Sequence, residues 1–247
     1  MGRISKSADV YYINNNNVTI NIDAVDDYSS AIYMQIKADD SEGPWEELTE
    51  QKAIAFEATE GEHTIYTRFK DFHGNTSEYV SVKYYYDITP PEIFLDYSQT
   101  GLTNSSVTVI ATASDSVSDA FFKTVSQYIF NENGSFEFVA TDEAGNRARL
   151  LVTIDYIDKI KPQITFTSNE FDDKKHKLAE VIINATDTSG IKELKYAIVK
   201  DGETPDNYKK CSNGESIIIE GLEDGTYAIF AIAIDNAGNS ATSTSQN

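Results

Sequence analysis

The pattern Asp-x-x-Gly-Asn occurs three times in this chain and constrains the fold more than any other feature of the sequence. The copies are Asp71, Gly74 and Asn75; Asp142, Gly145 and Asn146; and Asp235, Gly238 and Asn239. Each copy lies between two strand-like runs, as the turn of a β-hairpin does. Glycine accepts a positive φ, asparagine tolerates the left-handed region, and aspartate can cap the free amides of the turn. The repetition predicts tandem β-domains.

The spacing of the motif glycines gives the size of each repeat. Gly74 and Gly145 are 71 residues apart, and Gly145 and Gly238 are 93 residues apart. Both lengths suit a small immunoglobulin-like sandwich of seven strands. Helical periodicity is hard to find, whereas apolar side chains alternate with a period of two at residues 136–140 and 150–154. We therefore predict an all-β protein.

Two short proline-bearing segments separate the repeats. Asp87-Ile-Thr-Pro-Pro follows the first repeat and Asp158-Lys-Ile-Lys-Pro follows the second. Proline fixes φ and cannot donate to a sheet, so it fits the first residue of a strand or a short rigid link. We predict three sandwiches, at residues 1–87, 88–158 and 159–247. Because neither link is long or rich in glycine and serine, we expect an elongated, semi-rigid array.

Alternation also predicts which side chains form the cores. We expect Val18, Ile20, Ile22, Tyr66 and Phe69 in the first core; Val107, Val109, Phe136, Phe138 and Leu151 or its neighbours in the second; and Ile183, Leu194, Tyr227, Ile229 and Ile232 in the third. Where a run is wholly apolar, the assignment can slip by one residue, which exchanges the two faces of the strand.

The composition narrows the classes of partner. The chain has 40 acidic and 20 basic residues, a formal net charge of −20 that repels nucleic acid and anionic membranes. Its longest apolar run, residues 227–234, is too short to span a bilayer. Cys211 is the only cysteine, so an intrachain disulfide is excluded. Neither a signal peptide nor an anchor is evident, and we expect the chain to be a fragment of a longer protein.

Several phrases resemble bacterial immunoglobulin-like repeats of secreted and cell-surface proteins. They include Asp87-Ile-Thr-Pro-Pro-Glu-Ile, Ala140-Thr-Asp-Glu-Ala-Gly-Asn and Ala233-Ile-Asp-Asn-Ala-Gly-Asn. The first repeat, with Pro44-Trp45-Glu46, looks like the related fibronectin-III-like repeats. The resemblance covers about residues 9–245. It implies an extracellular, cell-surface or secreted setting. The partners that it implies are the other domains of a parent protein and a host or extracellular glycan or protein ligand.

The same resemblance implies a function without catalysis. Such repeats serve as spacers, as stalks or adhesin regions, and as accessory modules of secreted enzymes, and they share no catalytic residues. We expect a spacer, stalk or adhesin region of a bacterial surface protein. The alternative is a glycan-binding accessory region of a carbohydrate-active enzyme, for which Trp45 with Tyr33, or Tyr84, Tyr85 and Tyr86, are candidate sugar-stacking residues.

The residues themselves give no catalytic constellation. His63, His73 and His176 are not at metal-ligand spacing, and a Gly-x-Ser-x-Gly elbow is missing from the sequence. Lys209 and Lys210 could lower the pKa of Cys211, but without a nearby histidine a chance thiol is the better interpretation. We predict that the chain is not an enzyme, with no catalytic residues.

Calcium is the cofactor that the aspartates suggest. In an immunoglobulin-like sandwich, the loop after the second strand, the last hairpin and the chain entry lie at one end. Asp115, Asp119 and Asp142 should therefore approach Asp87 at the first joint, where carboxylates could supply several of the six to eight oxygens that calcium needs. The alternative is that these aspartates cap turns and solvate the surface.

The second joint has the same pattern of acids. Asp187 and Asp235 should approach Asp158 there, although Lys159 and Lys161 argue against a cation. The sequence therefore favours the first joint as the calcium site.

Overall fold

A computed structural model describes residues 5–7, 10–25, 32–173, 176–200, 202–223 and 225–245. Every regular element within these ranges is a β-strand, which confirms the all-β class. In the same ranges, the structure contains no helix long and apolar enough to cross a membrane.

The first eight strands are β1 (Ser5–Ser7), β2 (Val10–Ile13), β3 (Asn17–Asn21), β4 (Ile32–Ala38), β5 (Ser41–Glu47), β6 (Gln51–Ala55), β7 (Gly61–Asp71) and β8 (Val80–Tyr86). Six of them form a sheet in the order β1-β2-β8-β7-β4-β5, in which β2 runs parallel to β8. The other two, β3 and β6, form a second sheet. Buried Val18 and Ile54 of the small sheet share one apolar cluster with Met34 and Ile65 of the large one, so the two sheets pack as a sandwich.

The next six strands are β9 (Glu92–Tyr97), β10 (Val107–Ser114), β11 (Ala120–Phe122), β12 (Gln127–Phe130), β13 (Gly134–Asp142) and β14 (Arg147–Ile154). They form two three-stranded sheets, in the orders β12-β10-β9 and β11-β13-β14. Pro91 is buried and immediately precedes β9, the place where a missing N–H costs the sheet nothing.

The last seven strands are β15 (Gln163–Asp173), β16 (His176–Thr186), β17 (Ile191–Lys200), β18 (Lys209–Lys210), β19 (Ser216–Ile219), β20 (Tyr227–Asp235) and β21 (Ser240–Thr244). Their sheets have the orders β15-β16-β19 and β18-β17-β20-β21. Pro162 is buried directly before β15. Val181 and Ile183 of one sheet pack with Leu194 and Ile229 of the other.

By its contacts the chain divides into two compact units. One comprises residues 1–96, 110–128 and 136–152, and the other comprises residues 97–109, 129–135 and 153–247. Each of the six sheets nevertheless draws its strands from a single group, β1–β8, β9–β14 or β15–β21. The division by contacts passes through the middle group, so the three domains at 1–87, 88–158 and 159–247 stay a prediction.

The predicted hairpins are present. The three Asp-x-x-Gly-Asn motifs lie between β7 and β8, between β13 and β14, and between β20 and β21, and the strands of each pair are neighbours in their sheet. Each motif aspartate is the last residue of its first strand.

Seven of the fifteen predicted core residues are buried, namely Val18, Val107, Val109, Phe138, Ile183, Leu194 and Ile229. Ile20, Ile22 and Phe69 pack partly buried against the first core, whereas Tyr66 and Leu151 lie on the opposite face of their strands. Tyr66 lies between buried Ile65 and Thr67, so its side chain is on the outer face of β7. Leu151 is 65% exposed, while its neighbour Val152 is buried. These are the slips by one residue that alternation cannot resolve within apolar runs.

The same slip occurs in the third core. Ile183, Leu194 and Ile229 are buried as predicted, but Ile232 is only half-buried. Its neighbours Ala231 and Ala233 occupy the core instead.

Candidate functional site

The turn after β13 shows how the motif folds. Oδ1 of Asp142 accepts hydrogen bonds from the backbone amides of Gly145 (2.6 Å) and Asn146 (2.8 Å). Its Oδ2 accepts a third from the Asn146 side-chain amide at 2.9 Å. Gly145 has a φ of 97°, a conformation that L side chains rarely adopt. The aspartate therefore caps the turn, and the glycine permits its backbone.

The motif asparagine acts through its side chain, whereas the sequence suggested that it supplies a left-handed backbone conformation. Among the described non-glycine residues, only Asp39 has a positive φ, so tolerance of the left-handed region does not explain the motif asparagines. Asn146 instead donates its side-chain amide both to Asp142 and, at 2.8 Å, to the backbone carbonyl of Asp87 in the preceding linker. The position needs a side chain with two N–H donors, which asparagine supplies.

The linker aspartate of the first joint is held by its own set of bonds. Asp87 is completely buried. Its Oδ1 accepts the backbone amide of Thr89 at 3.0 Å, and its Oδ2 accepts the hydroxyl of Ser118 at 2.6 Å. The backbone amide of Asp87 donates to the carbonyl of Ile13 at 2.9 Å. The linker is therefore bonded both to Ile13, which precedes it in the chain, and to Ser118, which follows it.

Three carboxylates converge at this joint. Oxygens of Asp87, Asp115 and Asp142 all lie within 4.8 Å of one another. Asp115 caps its own loop, since its Oδ1 accepts the amides of Val117 (2.8 Å) and Ser118 (3.2 Å). Three of the four aspartates predicted at this joint are thus brought together, and each of the three also caps or anchors a turn.

Asp119, the fourth predicted residue, does not belong to this cluster. Its backbone carbonyl accepts the amide of Glu143 at 3.1 Å. Its charge instead adds to burial in raising the pKa of Glu143, and it contributes to the raised pKa of Tyr12 after burial and the charge of Glu143.

Burial raises the pKa of Asp87 above the ordinary aspartate value. The charges of Asp115 and Asp142 raise this pKa further, while the hydrogen bonds from Ser118 and Thr89 oppose the shift. Like charges at this separation in a site with little water disfavour full ionisation. The cluster therefore favours a counter-charge, either a shared proton or a bound cation.

The second joint repeats this construction. Oδ1 of Asp235, itself fully buried, accepts the amides of Gly238 (2.6 Å) and Asn239 (2.8 Å). The side-chain amide of Asn239 donates to Asp235 Oδ2 at 2.8 Å and to the backbone carbonyl of Asp158 at 2.9 Å. Oxygens of Asp158, Asp187 and Asp235 lie within 4.8 Å of one another.

The second cluster differs from the first in its unsatisfied oxygens. Oδ1 of Asp158 accepts the amide of Ile160, and Oδ1 of Asp187 accepts the amide and hydroxyl of Ser189. Their Oδ2 atoms are buried and have no hydrogen-bond partner. A buried carboxylate oxygen without a partner is costly, and a hard cation with oxygen ligands would satisfy both atoms.

The lysines that argued against a cation here, Lys159 and Lys161, are both exposed. The first joint as the calcium site stays a prediction. The orphaned oxygens at the second joint are a feature that the sequence did not indicate.

A loop of the preceding repeat covers each of these turns, which the sequence did not indicate. The backbone amide of Asn104 donates to the carbonyl of Ala237 at 3.0 Å. A Cβ added at Gly145 would lie 3.8 Å from Nδ2 of Asn14, which therefore packs close to that turn. Each asparagine comes a few residues before a strand, at the start of an asparagine- or serine-rich run, and that is the only signal that could have found them.

The first motif shares most of this geometry, but no loop of the described residues covers it. Oδ1 of Asp71 accepts the amide of Asn75 at 2.8 Å, and Oδ2 accepts the Asn75 side chain at 2.7 Å. Asn75 is exposed, whereas Asn239 is buried.

The histidines and the cysteine are accounted for by the fold where their side chains are described. Buried His63 bonds through Nδ1 to Asp39 and through Nε2 to the carbonyl of Thr59, both at 2.7 Å. His73 is an exposed turn residue, and the side chain of His176 lies outside the described part. Burial, and then the charge of Glu215, raises the pKa of Cys211, the reverse of what a nucleophile needs.

Of the aromatic residues considered for glycan stacking, Trp45 and Tyr33 contact cations, and the Tyr85 hydroxyl donates to Glu62 at 2.9 Å. Nζ of Lys70 lies 4.4 Å from the ring centroid of Trp45 and 5.6 Å from that of Tyr33. The guanidinium of Arg68 lies 5.3 Å from the same Trp45 ring. Tyr84 and Tyr86 are buried in the first core. These contacts give the rings a structural part, and the glycan site stays a prediction.

Comparisons with known proteins concern the fold alone. A scan against protein-family models and a search of curated proteins find no match. Among solved structures, a tetra-tandem repeat from the extending region of a large adhesion protein aligns with 95% of this chain and 72% of its own, at 14% identity and a TM-score of 0.28. Fibronectin(III)-like modules of Clostridium thermocellum CbhA align with 99% of this chain and 91% of their own, at 11% identity and a TM-score of 0.28. Immunoglobulin domains 1–5 of Sidekick-1 align with 99% of this chain and 58% of their own, at 12% identity and a TM-score of 0.37.

Proposed function

We propose that the chain is a non-catalytic spacer or stalk region of a secreted or cell-surface protein. The observation that carries the proposal is the joint that occurs twice. In each joint, a motif asparagine donates to the backbone carbonyl of a linker aspartate, Asn146 to Asp87 and Asn239 to Asp158. A repeated, specifically bonded joint is what a chain needs if its repeats are to hold another domain at a fixed reach.

The bonds at each joint resist bending because they tie the linker to the following repeat. Pro91 and Pro162 fix φ just before β9 and β15, which shortens the flexible part of each link. The asparagine then clamps the linker backbone four residues before the proline. Bending at a joint would have to break this clamp and expose the buried aspartates Asp142 or Asp235.

The test is a distance distribution across one joint. Spin labels on exposed positions of β5 and β14 report the separation across the first joint by pulsed electron spin resonance. We expect a narrow distribution that broadens in Asn146→Ala and is unchanged in the matched variant Asn75→Ala. A broad distribution in the unsubstituted chain would refute the stiff-joint proposal.

We further propose that the aspartate clusters bind divalent cations and that calcium fits them. Each cluster offers three carboxylates, and the second has two buried oxygens without partners. Calcium prefers such oxygen ligands, and extracellular modules bind it with dissociation constants of about 10⁻⁴–10⁻³ M. Asp158, Asp187 and Asp235 would hold one ion, and Asp87, Asp115 and Asp142 another. The ion would supply the positive charge that neither cluster has.

Thermal unfolding in calcium and in EDTA, at matched ionic strength, tests this proposal. A ligand that binds only the folded state at about 100 times its Kd adds about 2.7 kcal/mol to the free energy of unfolding. We expect calcium to raise the melting temperature. Asp187→Asn should remove more of this effect than Asp115→Asn, because only the second cluster has unsatisfied buried oxygens. Superimposable curves in calcium and EDTA would leave the aspartates as turn caps.

A further inference from the structure

The turn at residues 71–75 has the same internal geometry as the two turns that receive a linker. Gly74 has a φ of 92°, against 97° at both Gly145 and Gly238. The backbone amide of Asp71 donates to the carbonyl of Asn75 at 3.0 Å, and the bond between the corresponding residues of the third motif is also 3.0 Å long. The first turn is therefore shaped to do what the other two do.

The three turns differ in which group accepts the second side-chain N–H of the asparagine. The side-chain amides of Asn146 and Asn239 each donate to a linker carbonyl as well as to their own aspartate. Within the described part of the chain, the side-chain amide of Asn75 donates only to Asp71. One of its two N–H donors therefore has no acceptor among the described residues, at the position where the other joints place the linker aspartate.

A cavity and two exposed apolar side chains lie beside Asn75. A cavity of about 400 Å³ lies beside this turn, lined by Asp23, Val25, Phe69, Asp71 and Asn75 among others. Val25 is 89% exposed, and Phe72 at the turn itself is 71% exposed. Large exposed apolar side chains beside a polar rim are a feature of interaction sites.

We propose that this end of the first repeat, formed by Asp23, Val25, Asp71, Phe72 and Asn75, is a docking surface for the linker of another repeat of this kind. The occupant is an extended segment with an aspartate four residues before a proline, as in residues 87–91 and 158–162. The inference rests on the spacer function, because it makes the first repeat a further joint in an array.

The expected contacts follow from the two occupied joints. The backbone carbonyl of the incoming aspartate accepts the available N–H of Asn75. Its carboxylate joins those of Asp23 and Asp71 in a third cluster of the same charge. The incoming repeat covers Phe72 and Val25.

One position requires a different fit. His73 is exposed where the other motifs have the buried residues Ala144 and Ala237. The covering loop must therefore leave room for an imidazole.

The experiment supplies the linker on the same chain. In the test variant, the sequence of residues 158–163 is joined to Gly2 through a flexible glycine-serine linker of about 20 residues. The linker is needed because Ser5 lies level with Glu62, at the end of β7 opposite to Asp71. Tethering gives the segment a high effective concentration. Amide hydrogen exchange at residues 71–75 is then followed by NMR in calcium.

We expect exchange in this turn to slow about tenfold with the extension, since the docked segment stabilises the turn against local opening. The side-chain amide resonance of Asn75 should shift as well. Both effects should be lost when Asn75→Ala is combined with the extension, and the protection should fall when the added aspartate is replaced by alanine. Unchanged exchange and an unshifted Asn75 resonance would overturn the docking surface.

A further measurement separates this inference from the function on which it rests. Asn146→Ala in the unextended chain should accelerate exchange at residues 142–146. If it does so while the extension leaves residues 71–75 unchanged, the docking surface is wrong and the stiff joints stand. If neither effect occurs, both proposals fail.

Discussion

Turns 71–75 and 235–239 are built from the same pattern, and in both the aspartate accepts the backbone and side-chain amides of the asparagine, yet one is exposed and the other is buried. Asp235 has no exposed surface, and Asn239 is 9% exposed. Asp71 is half-buried, and Asn75 is exposed. Within the described part of the chain, the side chains of Asp71 and Asn75 bond only within their own turn, whereas the third turn also holds a linker and receives a loop of the preceding repeat. Local sequence therefore makes the turn, and its surroundings decide whether the turn is also a joint.

The comparison separates two contributions of the motif to the free energy of unfolding, one local and one that depends on the surrounding structure. Capping and glycine conformation are local, so they should contribute similarly in all three copies. Anchoring a linker and burying a carboxylate depend on context, so they should appear only in the second and third copies. Substitutions at matched positions can measure each part.

The largest difference should come from the aspartates. Asp235→Ala removes three hydrogen bonds from a buried carboxylate and leaves their donors without a partner, so we expect a loss of about 3 kcal/mol in the free energy of unfolding. Asp71→Ala should lose about 1 kcal/mol, because water can replace the carboxylate at an exposed turn. Urea unfolding of the two variants measures both losses. Equal losses would show that burial adds nothing to the motif.

A smaller difference should separate the asparagines. Asn239→Ala removes the bond to the linker carbonyl of Asp158, and we expect a loss of about 1.5 kcal/mol. Asn75→Ala breaks only the exposed bond to Asp71 and should lose less than about 0.5 kcal/mol. Urea unfolding again supplies the numbers. A loss at Asn75 as large as that at Asn239 would mean that the linker bond has no special weight.

The glycines should behave alike and so serve as the control for the comparison. Gly74→Ala and Gly238→Ala each place a side chain at a positive φ, and we expect a loss of about 1 kcal/mol in both. An added Cβ would meet nothing within 4 Å at Gly74 and only an ordinary 3.6 Å contact at Gly238. Thermal unfolding tests the equality. A much greater loss at Gly238 would indicate steric rather than conformational strain.

The smallest expected effect is on how stability depends on pH, where Asp71 and Asp87 act in opposite directions. The hydrogen bond from the Asn75 side chain lowers the pKa of Asp71, whereas burial raises the pKa of Asp87. The stabilising contribution of Asp71 is therefore present above the ordinary value of 3.8 and is lost as pH falls through its lowered pKa. That of Asp87 is present below 3.8 and is lost as pH rises through its raised pKa.

Carboxyl ¹³C NMR in EDTA checks this prediction directly. Asp71 should titrate below pH 3.8 and Asp87 above it. Calcium should shift the Asp87 midpoint downward, because a bound cation favours the ionised carboxylate. Two midpoints on the same side of 3.8 would contradict the difference between exposed and buried aspartates.

Much of the fold could be predicted because the signals are local. The three hairpins follow from the motif, and alternation identifies Val107 and Phe138 as core residues. It failed at Tyr66 and Ile232, where apolar residues occupy both faces of a strand, and the sequence alone does not say which face another sheet will cover.

The sequence also identified the aspartates of both joints, because the ends of sandwich strands can be located from the hairpins. It misjudged Asp119, since neighbours in a loop diverge in space. The preference for the first joint over the second rests on Lys159 and Lys161, which are both exposed, and it stays a prediction.

By itself the sequence determined that each Asp-x-x-Gly-Asn segment folds as a capped turn, since the bonds span only four residues and the glycine φ is a local matter. Tertiary structure alone decided which turns became joints. Asn146 and Asp87 are 59 residues apart, and Asn239 and Asp158 are 81 apart. Bonds over such separations depend on how the strands between them pair, and so does the burial that makes the aspartates costly.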